Sequence, residues 1–258
     1  MIGARRSRPE ASGDGFFASL NDLLIGLLFL FILLLMAFAL RYQEASDQAS
    51  RQIASLQERI TERAGRRAEL LQTIDGKLRA QGVVLDIKPD KGEINFSGDE
   101  LFKINSPELN PNALPKLKAL AIELENALPC YSSERLVRKN CSPDSAPLFE
   151  AVYVEGHTDD LQFANSPDAN WALSSARAIN AYRQMRLFAP KLKDVKNADG
   201  SATMFGVSAY ADQRPLPINP KLTIDETRAQ NRRIAFRFLL APPTVNELSK
   251  RQAGGGDL

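Results

Sequence analysis

The amino-acid sequence predicts an α+β protein with a single N-terminal transmembrane helix, a helical linker and then a β-α-β-α-β-β sandwich. Three observations lead to this fold class. An apolar stretch of membrane-spanning length lies near the N-terminus, and a proline-free segment with helical periodicity follows it. The rest of the chain shows the order strand, helix, strand, helix, strand, strand, which is typical of one sheet with helices packed on it.

Length and composition exclude two kinds of site. The chain has 258 residues, a net charge of +2 and a single histidine. No long basic block with interleaved aromatic residues occurs, so nothing in the sequence indicates nucleic-acid binding. One histidine is too few for the usual cysteine–histidine zinc sites, so we expect no metal. A chain of this length can hold one large domain or two small ones.

Residues 16–40 form the predicted transmembrane helix. No side chain between Leu23 and Leu40 is charged, and a run of about 18 apolar residues or more can cross the hydrocarbon core as a helix. Three arginines precede it within residues 1–15. By the positive-inside rule, they predict a cytoplasmic N-terminal arm and place the rest of the chain outside the cytoplasm. They are Arg5, Arg6 and Arg8.

A cleaved signal peptide is the alternative interpretation of this stretch. Ala37-Phe38-Ala39 resembles the small-residue pattern of a cleavage site. However, the apolar core of a signal peptide usually spans about 7–15 residues, and the run found here is longer. It also carries an acid near its start, which favours a retained anchor.

That acid, Asp22, is the first functional candidate. An ionisable side chain costs about 2.5–3.5 kcal/mol at the centre of a membrane helix and less near its end. Such a residue usually faces protein or water and indicates an ion or proton pathway. Asn21 and Ser19 lie beside it. We therefore interpret Asp22 as an ion-carrying residue.

Residues 41–81 form the predicted helical linker. Apolar residues recur there in steps of three or four, which suits a short coiled coil or a helix lying on a partner. A solvated spacer helix fits equally well, because three residues interrupt the apolar seam. The seam consists of Ile53, Leu56, Ile60, Leu70, Ile74 and Leu78, and the interruptions are Arg63, Gly65 and Arg67.

The sheet domain is predicted for residues 82–242, followed by a flexible tail over residues 243–258. Alternating or continuous apolar runs bounded by turn residues predict its strands, and residues spaced by three or four predict its helices. The predicted strands are 83–87, 93–96, 101–104, 149–155, 204–210 and 234–240. The predicted helices begin at Asn110, Asn170 and Asp225 and end near Pro129, Phe188 and Gln230.

Enzymatic activity is not expected. His157 could be drawn as a base with Asp159, and Ser174 or Ser175 could be drawn as the nucleophile. The sequence contains no nucleophile elbow, P-loop or dinucleotide fingerprint that would support such an arrangement. We therefore predict no catalytic residue and no cofactor.

A binding pocket is a better candidate for the loop that follows strand 149–155. The loop displays Asp159, and Arg177 stands in the next helix, which Asn170 is expected to cap. If both face one pocket, the acid can bind an ammonium group and the guanidinium can bind a carboxylate, as a zwitterionic ligand requires. A structural salt bridge between Asp159 and Arg177 is the equally open alternative.

Three motifs carry a resemblance over roughly residues 82–240. They are Glu-Gly-His-Thr-Asp-Asp at 155–160, Asn-Trp-Ala-Leu-Ser-Ser-Ala-Arg-Ala at 170–178, and Arg-Ala-Gln-Asn-Arg-Arg-Ile at 228–234. Together they resemble the OmpA C-terminal-like, peptidoglycan-binding domain. The resemblance implies that Asp159 and Arg177 bind the diaminopimelate of the peptidoglycan stem peptide. It also implies that Asn170 and Leu173 shape the same pocket.

The Asn-Trp-x-Leu-Ser form of the second motif, combined with one span that carries an early Asp, resembles the MotB class of stator B subunits. This resemblance implies a single-pass protein of the bacterial inner membrane with a periplasmic C-terminal domain. It further implies a homodimer inside a ring of multi-span MotA- or ZorA-like A subunits. Asp22 would carry the transported ion, H⁺ or alternatively Na⁺.

Relatives within that class differ in what the motor does. They include flagellar stators and ZorB of the Zorya anti-phage defence system. The short N-terminal arm lacks the long basic tail of flagellar members, which favours a defence motor over the flagellar alternative. A passive OmpA- or Pal-like cell-wall anchor is the further alternative.

Two cysteines, Cys130 and Cys141, bracket a polar loop that resembles an insertion in the domain. Outside the cytoplasm a disulfide is favoured, and closing so short a loop contributes about 3 kcal/mol in the chain-entropy model. Two free thiols packed in the loop are the alternative.

Overall fold

The structure, a computed structural model, describes residues 13–103, 105–134, 141–142, 145–161, 166 and 168–243. It divides into two compact units, Met1–Gln57 and Glu58–Leu258. Most of the predicted N-terminal arm and nearly all of the predicted tail lie outside the described residues.

The first unit consists of helix α1, which spans Gly13–Ala80 and continues into the second unit. Its apolar stretch is long enough to cross a membrane, and none of that stretch is buried within the protein. A core helix of a soluble protein would be mostly buried, and this exposed stretch differs from such a helix. A signal sequence passes the same length and composition test, so the anchor remains a prediction. Asp22 lies in this helix.

The part of α1 after Glu58 packs on the sheet domain and belongs to the same compact unit. Its apolar side chains enter the main core, and the two arginines that interrupt the seam in sequence bind backbone carbonyls of that domain. Arg63 Nη2 donates to Leu148 O at 3.2 Å, and Arg67 Nη2 donates to Asp90 O at 2.7 Å. The boundary predicted at residue 82 therefore lies inside this unit. The buried apolar residues are Leu70, Leu71, Ile74 and Leu78.

The second unit contains a five-stranded mixed sheet of order β1-β2-β5-β3-β4. All neighbouring strands are antiparallel except β3 and β4, which are parallel and connected through helix α4. The strands are β1 Asp86–Lys88, β2 Glu93–Ser97, β3 Phe149–His157, β4 Phe205–Ala209 and β5 Arg233–Leu240. The helices are α2 Gly98–Leu101, α3 Leu114–Ala127, α4 Ala169–Phe188 and α5 Ile224–Asn231. The predicted α+β fold, a long apolar helix followed by a sheet with helices, is confirmed.

Two local predictions are wrong. The predicted strand 101–104 is not formed by its described residues, 101–103: α2 ends at Leu101, and Phe102 forms only an isolated bridge with Leu109. Residue 104 lies outside the described residues. Leu101 and Phe102 are both fully buried, and consecutive buried side chains imitate the pattern of an internal strand. The first strand is also shorter than predicted, because Val83 and Leu85 are buried without pairing to a neighbouring strand.

The two faces of the sheet differ in chemistry because side chains alternate along each strand. Val154 of β3 and Phe236 of β5 lie in the core that also contains residues of α3 and α4. Their neighbours on the opposite face are mostly polar, and several of them are nevertheless buried. These polar residues are Glu93, Asn95, Glu155, His157, Arg233 and Arg237.

One glycine fixes the position of α4 against the end of β3. A Cβ atom placed on Gly156 would lie 2.0 Å from Ser174 O, so no other residue fits without moving the helix. The backbone of β3 therefore touches the second turn of α4. This contact brings the loop after His157 next to the side chains at the start of the helix.

Candidate functional site

A cavity of about 530 Å³ lies where β3 ends, α4 begins and β5 begins. Cavities of several hundred cubic ångströms are typical of sites for small ligands. All four residues predicted to bind the stem peptide border it: Asp159, Asn170, Leu173 and Arg177. The remaining lining residues are Asp99, Phe102, Lys103, Asn105, Thr158, Leu161 and Arg232.

Asp159 follows β3 and is held by an arginine other than the predicted one. Arg232 Nη1 donates to Asp159 Oδ2 at 2.6 Å, and Leu161 N donates to Oδ1 at 3.3 Å. Among the described residues, no ion pair joins Asp159 to Arg177. The structure therefore does not contain the salt bridge between Asp159 and Arg177 that the sequence left open as an alternative.

Arg177 is buried at the cavity, and no carboxylate of the described residues pairs with it. Only 5% of the residue is exposed, and its Nε donates to Ser106 O at 3.1 Å. Its guanidinium carbon lies 5.1 Å from the centre of the Phe102 ring. Burial lowers the pKa of Arg177, and the nearby Asp99 opposes this only in part. Within the described chain, its two terminal nitrogens have no hydrogen-bond partner, so they can serve a ligand.

Arg232 and Asp99 form the fixed side of the cavity, and the sequence did not predict their role. Arg232 Nε and Nη2 donate to the two oxygens of Asp99 at 2.7 and 2.6 Å, a bidentate pair, while Nη1 holds Asp159. The hydrogen bonds to Asp99 raise the pKa of Arg232 further. Because 133 positions separate the partners, only the folded sheet brings them together. Arg232 appeared in a motif, but nothing in its spacing indicated a bridge between two acids.

Asn170 has a different local role from the one predicted. Residue Asp168, not Asn170, precedes α4 at the cap position, and it makes no capping hydrogen bond. Asn170 is the second residue of the helix, and its Nδ2 donates to Leu161 O at 2.9 Å. It thus holds the loop after β3 to the helix. Leu173, one turn later, is half-buried and provides an apolar wall.

Thr158 also borders the cavity, and its hydroxyl is buried. Its backbone N donates to Ala211 O at 2.8 Å, but Oγ1 has no hydrogen-bond partner in the part of the chain that the structure describes. Leaving a buried hydroxyl without a partner costs about 1–3 kcal/mol. A ligand with a polar group at this position would remove that cost.

The catalytic arrangement considered from the sequence is not assembled. His157 points to the polar face of the sheet, where its ring stacks on Tyr210 with centres 5.5 Å apart. Burial lowers the pKa of His157, so the ring is neutral at pH 7. Ser174 Oγ lies on the helix side of the sheet and receives a hydrogen bond from Ala211 N. In the described structure, no contact joins His157 to Asp159 or to Ser174.

The two cysteines form a disulfide in the structure. Their Cα atoms lie 5.3 Å apart, and the bridge closes the loop that begins at the end of the short 3₁₀ segment Leu128–Tyr131. Neither Cys130 nor Cys141 borders the cavity.

The two arginines and two acids give the cavity the chemistry of a zwitterion site. Arg177 has no ion-pair partner in the described part of the chain and can bind a carboxylate through two parallel N–H groups. Asp159 and Asp99 are already fixed by Arg232 and can accept additional hydrogen bonds from an ammonium group, because a carboxylate has about four acceptor positions. One ligand that carries both groups on one carbon would satisfy both sides.

A comparison with protein-family models finds no match, and neither does a comparison with curated protein sequences. Solved structures with a similar arrangement include the cell wall anchor of the T6SS from Pseudomonas aeruginosa, with 23% identity, 68% of this chain and 99% of that chain covered, and a TM-score of 0.43. A putative MotB-like protein from Desulfovibrio vulgaris has 21% identity, covers 70% and 98% of the two chains, and has a TM-score of 0.49. The periplasmic domain of Helicobacter pylori MotB has 19% identity, 66% and 87% coverage, and a TM-score of 0.40. Similarities of this size assign no role to any residue of this chain.

Proposed function

We propose that this chain is the peptidoglycan-anchored B subunit of a proton-driven membrane motor. The outer domain binds the cell wall, and Asp22 carries the ion through the membrane. The observation that carries the wall-binding part is the buried guanidinium of Arg177, which has no ion-pair partner among the described residues and lies in a cavity that also presents Asp159. The motif resemblance and the exposed apolar stretch of α1 support the remainder.

The ligand proposed for the cavity is the diaminopimelate of the stem peptide. The end of its side chain carries a carboxylate and an ammonium on one carbon. The carboxylate binds the Arg177 guanidinium, and the ammonium is placed between Asp159 and Asp99. Asn170 keeps the loop in position, and Leu173 covers the methylene groups of the ligand. This binding requires no metal, no cofactor and no catalytic step.

The motor part of the proposal uses the acid in the apolar helix. Two copies of the chain lie inside a ring of MotA- or ZorA-like A subunits in the inner membrane, with their N-termini in the cytoplasm. Asp22 takes up and releases a proton as its surroundings in the ring change. Moving one charge across the membrane provides about 2.3 kcal/mol per 100 mV, which is enough to bias a conformational cycle. Na⁺ is the alternative coupling ion.

The wall-binding part is tested by pull-down with purified peptidoglycan. Arg177→Ala should abolish co-sedimentation of the full-length protein in a neutral detergent. Arg183→Ala is the matched control, because Arg183 lies on the same helix but is exposed and does not border the cavity. Unchanged binding by Arg177→Ala would refute the site.

The motor part is tested by Asp22→Asn, which keeps the size of the side chain and removes its charge. We expect ion flux and motor-dependent function to be lost while peptidoglycan binding is kept. A passive anchor would tolerate the change in every assay. Survival of ion flux in Asp22→Asn would therefore exclude the ion-carrying role and leave the anchor.

We further propose that the motor serves anti-phage defence, and a flagellar stator is the alternative. Genes adjacent to the coding sequence discriminate between them. A neighbouring A-subunit gene together with helicase or nuclease genes would support a Zorya-type anti-phage motor, whereas flagellar genes would support motility. A gene neighbourhood without any A subunit would favour the passive anchor.

A further inference from the structure

A second cavity, of about 460 Å³, lies on the polar face of the sheet. Ile94 and Phe236 point into the apolar core, so the alternate residues Asn95 and Arg233 point to the other face. Both of them line this second cavity, as do Asp86 and Lys88 of the edge strand β1. Its lining residues are different from those of the first cavity.

Arg233 is a buried cation without a counter-ion in the described part of the chain. The residue is 7% exposed. Its Nη1 and Nη2 donate only to the carbonyl oxygens of Asn231 and Arg214, at 3.4 and 3.2 Å, and its Nε has no partner among the described residues. Burial lowers the pKa of Arg233, and more distant acids compensate only in part. Taking a charge out of water without a partner is strongly unfavourable, so this position is incomplete without an anion.

Arg237, four residues later on the same face, is a half-buried arginine whose charge is compensated within the protein. Its Nη1 lies 2.7 Å from Glu93 Oε1, and its Nε donates to Glu155 Oε2 at 2.9 Å. The same strand therefore carries one arginine that pairs with two carboxylates and one, Arg233, that pairs with none in the ranges that the structure describes. The one with none borders the cavity.

Asn95 adds a second group without a partner among the described residues, in this case a hydrogen-bond acceptor. The residue is 6% exposed, and its Nδ2 donates to Asp86 Oδ2 at 3.3 Å, which fixes the orientation of the amide. Its Oδ1 accepts no hydrogen bond from any described residue. Lys88 Nζ lies 3.0 Å from the same Asp86 carboxylate, so these two charges compensate each other. The cavity thus retains the charge of Arg233 and an acceptor that needs a donor.

We propose that the second cavity binds a carboxylate whose neighbouring carbon carries an N–H group, as found at the C-terminus of a peptide. The carboxylate accepts hydrogen bonds from Arg233, and the N–H of the same residue donates to Asn95 Oδ1. An isolated inorganic anion would satisfy only the first group. This site is separate from the diaminopimelate cavity and does not depend on the function proposed for it.

Two sources supply this chemistry. One is a peptide that ends in a D-amino acid, as cell-wall peptides do, and the other is the C-terminus of a protein. The probes are N-acetyl-D-alanyl-D-alanine and N-acetyl-L-alanyl-L-alanine, titrated calorimetrically into the full-length chain in a neutral detergent. Tighter binding of the D-form identifies the first source and tighter binding of the L-form the second. Either result supports the site, whereas binding of neither probe overturns it.

Three variants connect the binding to this cavity. Arg233→Met should weaken the preferred probe about 10-fold or more, because a charge-assisted hydrogen bond is lost. Asn95→Asp should weaken it similarly, since the new carboxylate pairs with Arg233 and repels the ligand. Arg177→Met should leave the affinity unchanged, because that residue borders the other cavity. Unchanged affinity in Arg233→Met or Asn95→Asp, or loss only in Arg177→Met, would overturn the proposal.

The C-terminal amide of the same dipeptide serves as the uncharged control ligand. It keeps the N–H for Asn95 and loses the charge for Arg233, so its binding should be about 10-fold weaker or absent. Equal affinity of the acid and the amide would contradict the assignment of Arg233. Melting temperatures of all variants establish that they are folded.

Discussion

The polar face of the sheet and the cavity at the end of β3 both bury arginines, but they surround them differently. On the polar face, Arg237 lies between the carboxylates of Glu93 and Glu155, and Glu155 is 1% exposed. In the cavity, Arg177 donates to a backbone carbonyl and lies beside an aromatic ring, and it forms no ion pair with a carboxylate of the described residues. The first arrangement is complete within the protein, and the second leaves a charge for a ligand.

The difference separates residues that hold the fold from residues that bind. Removing one partner of a buried ion pair leaves the other charge uncompensated, so it affects stability strongly. Removing a buried charge that has no partner relieves the protein of a desolvation cost. Unpaired arginines are therefore expected to matter for ligand affinity and very little for stability.

The largest expected effect is the loss of Arg237. Arg237→Met leaves Glu155 buried with no cation bound to it, so we expect the free energy of unfolding to fall by about 3 kcal/mol or more. Arg233→Met, on the same strand and face, should leave it unchanged or raise it, because Arg233 has no carboxylate partner among the described residues. Urea denaturation measures both. Equal destabilisation by the two changes would contradict the proposed difference between the paired Arg237 and Arg233.

A somewhat smaller effect is expected where β3 touches α4. Gly156→Ala introduces a Cβ at 2.0 Å from Ser174 O, and the helix has to move. Overpacking of this kind costs about 1–3 kcal/mol. Because the helix carries Arg177, we expect weaker peptidoglycan binding together with the lower stability. Ser208→Ala on β4 is the control outside this contact, and it should change neither quantity by much.

The free energy of unfolding should depend on pH through the titratable groups on the polar face of the sheet. The pKa of His157 is lowered in the folded protein, chiefly by burial, whereas the unfolded chain has the ordinary value of about 6.5. The unfolded state therefore binds more protons as the pH falls through 6.5, and stability declines there by up to about 1.4 kcal/mol per pH unit. His157→Asn should abolish this decline. A slope that persists in the variant would assign it to other groups.

A second decline is expected at lower pH from Glu155. Burial raises the pKa of Glu155, but its contacts with His157 and Arg237 outweigh burial, so the pKa lies below its ordinary range. Stability from this group is present above the unfolded pKa of about 4.3 and is lost as the pH falls through the lower folded value. In Arg237→Met the folded-state pKa of Glu155 should rise towards its unfolded value, so this acid-side loss of stability should become smaller or disappear in the same denaturation series.

The sequence predicted the long elements and one side of the site. Strand β3 and helices α3 and α4 have clear periodicity, and the motifs around Asp159 and Arg177 identified residues that the structure places at one cavity. The carboxylate partners of Arg232 could not be predicted, because they are 73 and 133 positions away and meet only through strand order.

The sequence-based predictions were wrong where the same local pattern of apolar and polar residues can arise from two different structures. Leu101 and Phe102 are buried as the end of a helical turn and a single bridge, although two adjacent apolar residues read as a strand. Arg63 and Arg67 looked like interruptions of an apolar seam, yet they bind backbone carbonyls of the domain on which that part of α1 packs. The periodicity of apolar residues indicates which side chains are buried, but it does not indicate which part of the protein they pack against.

The most direct test of the wall-binding claim changes the ligand instead of the protein. Two tripeptides, L-alanyl-γ-D-glutamyl-meso-diaminopimelate and the same peptide with L-lysine, differ in the carboxylate proposed to bind Arg177. In calorimetric titrations of the full-length chain, we predict that the diaminopimelate peptide binds at least about 10-fold more tightly, and that Arg177→Met removes this preference. Equal affinities of the unaltered chain for the two peptides would contradict the account.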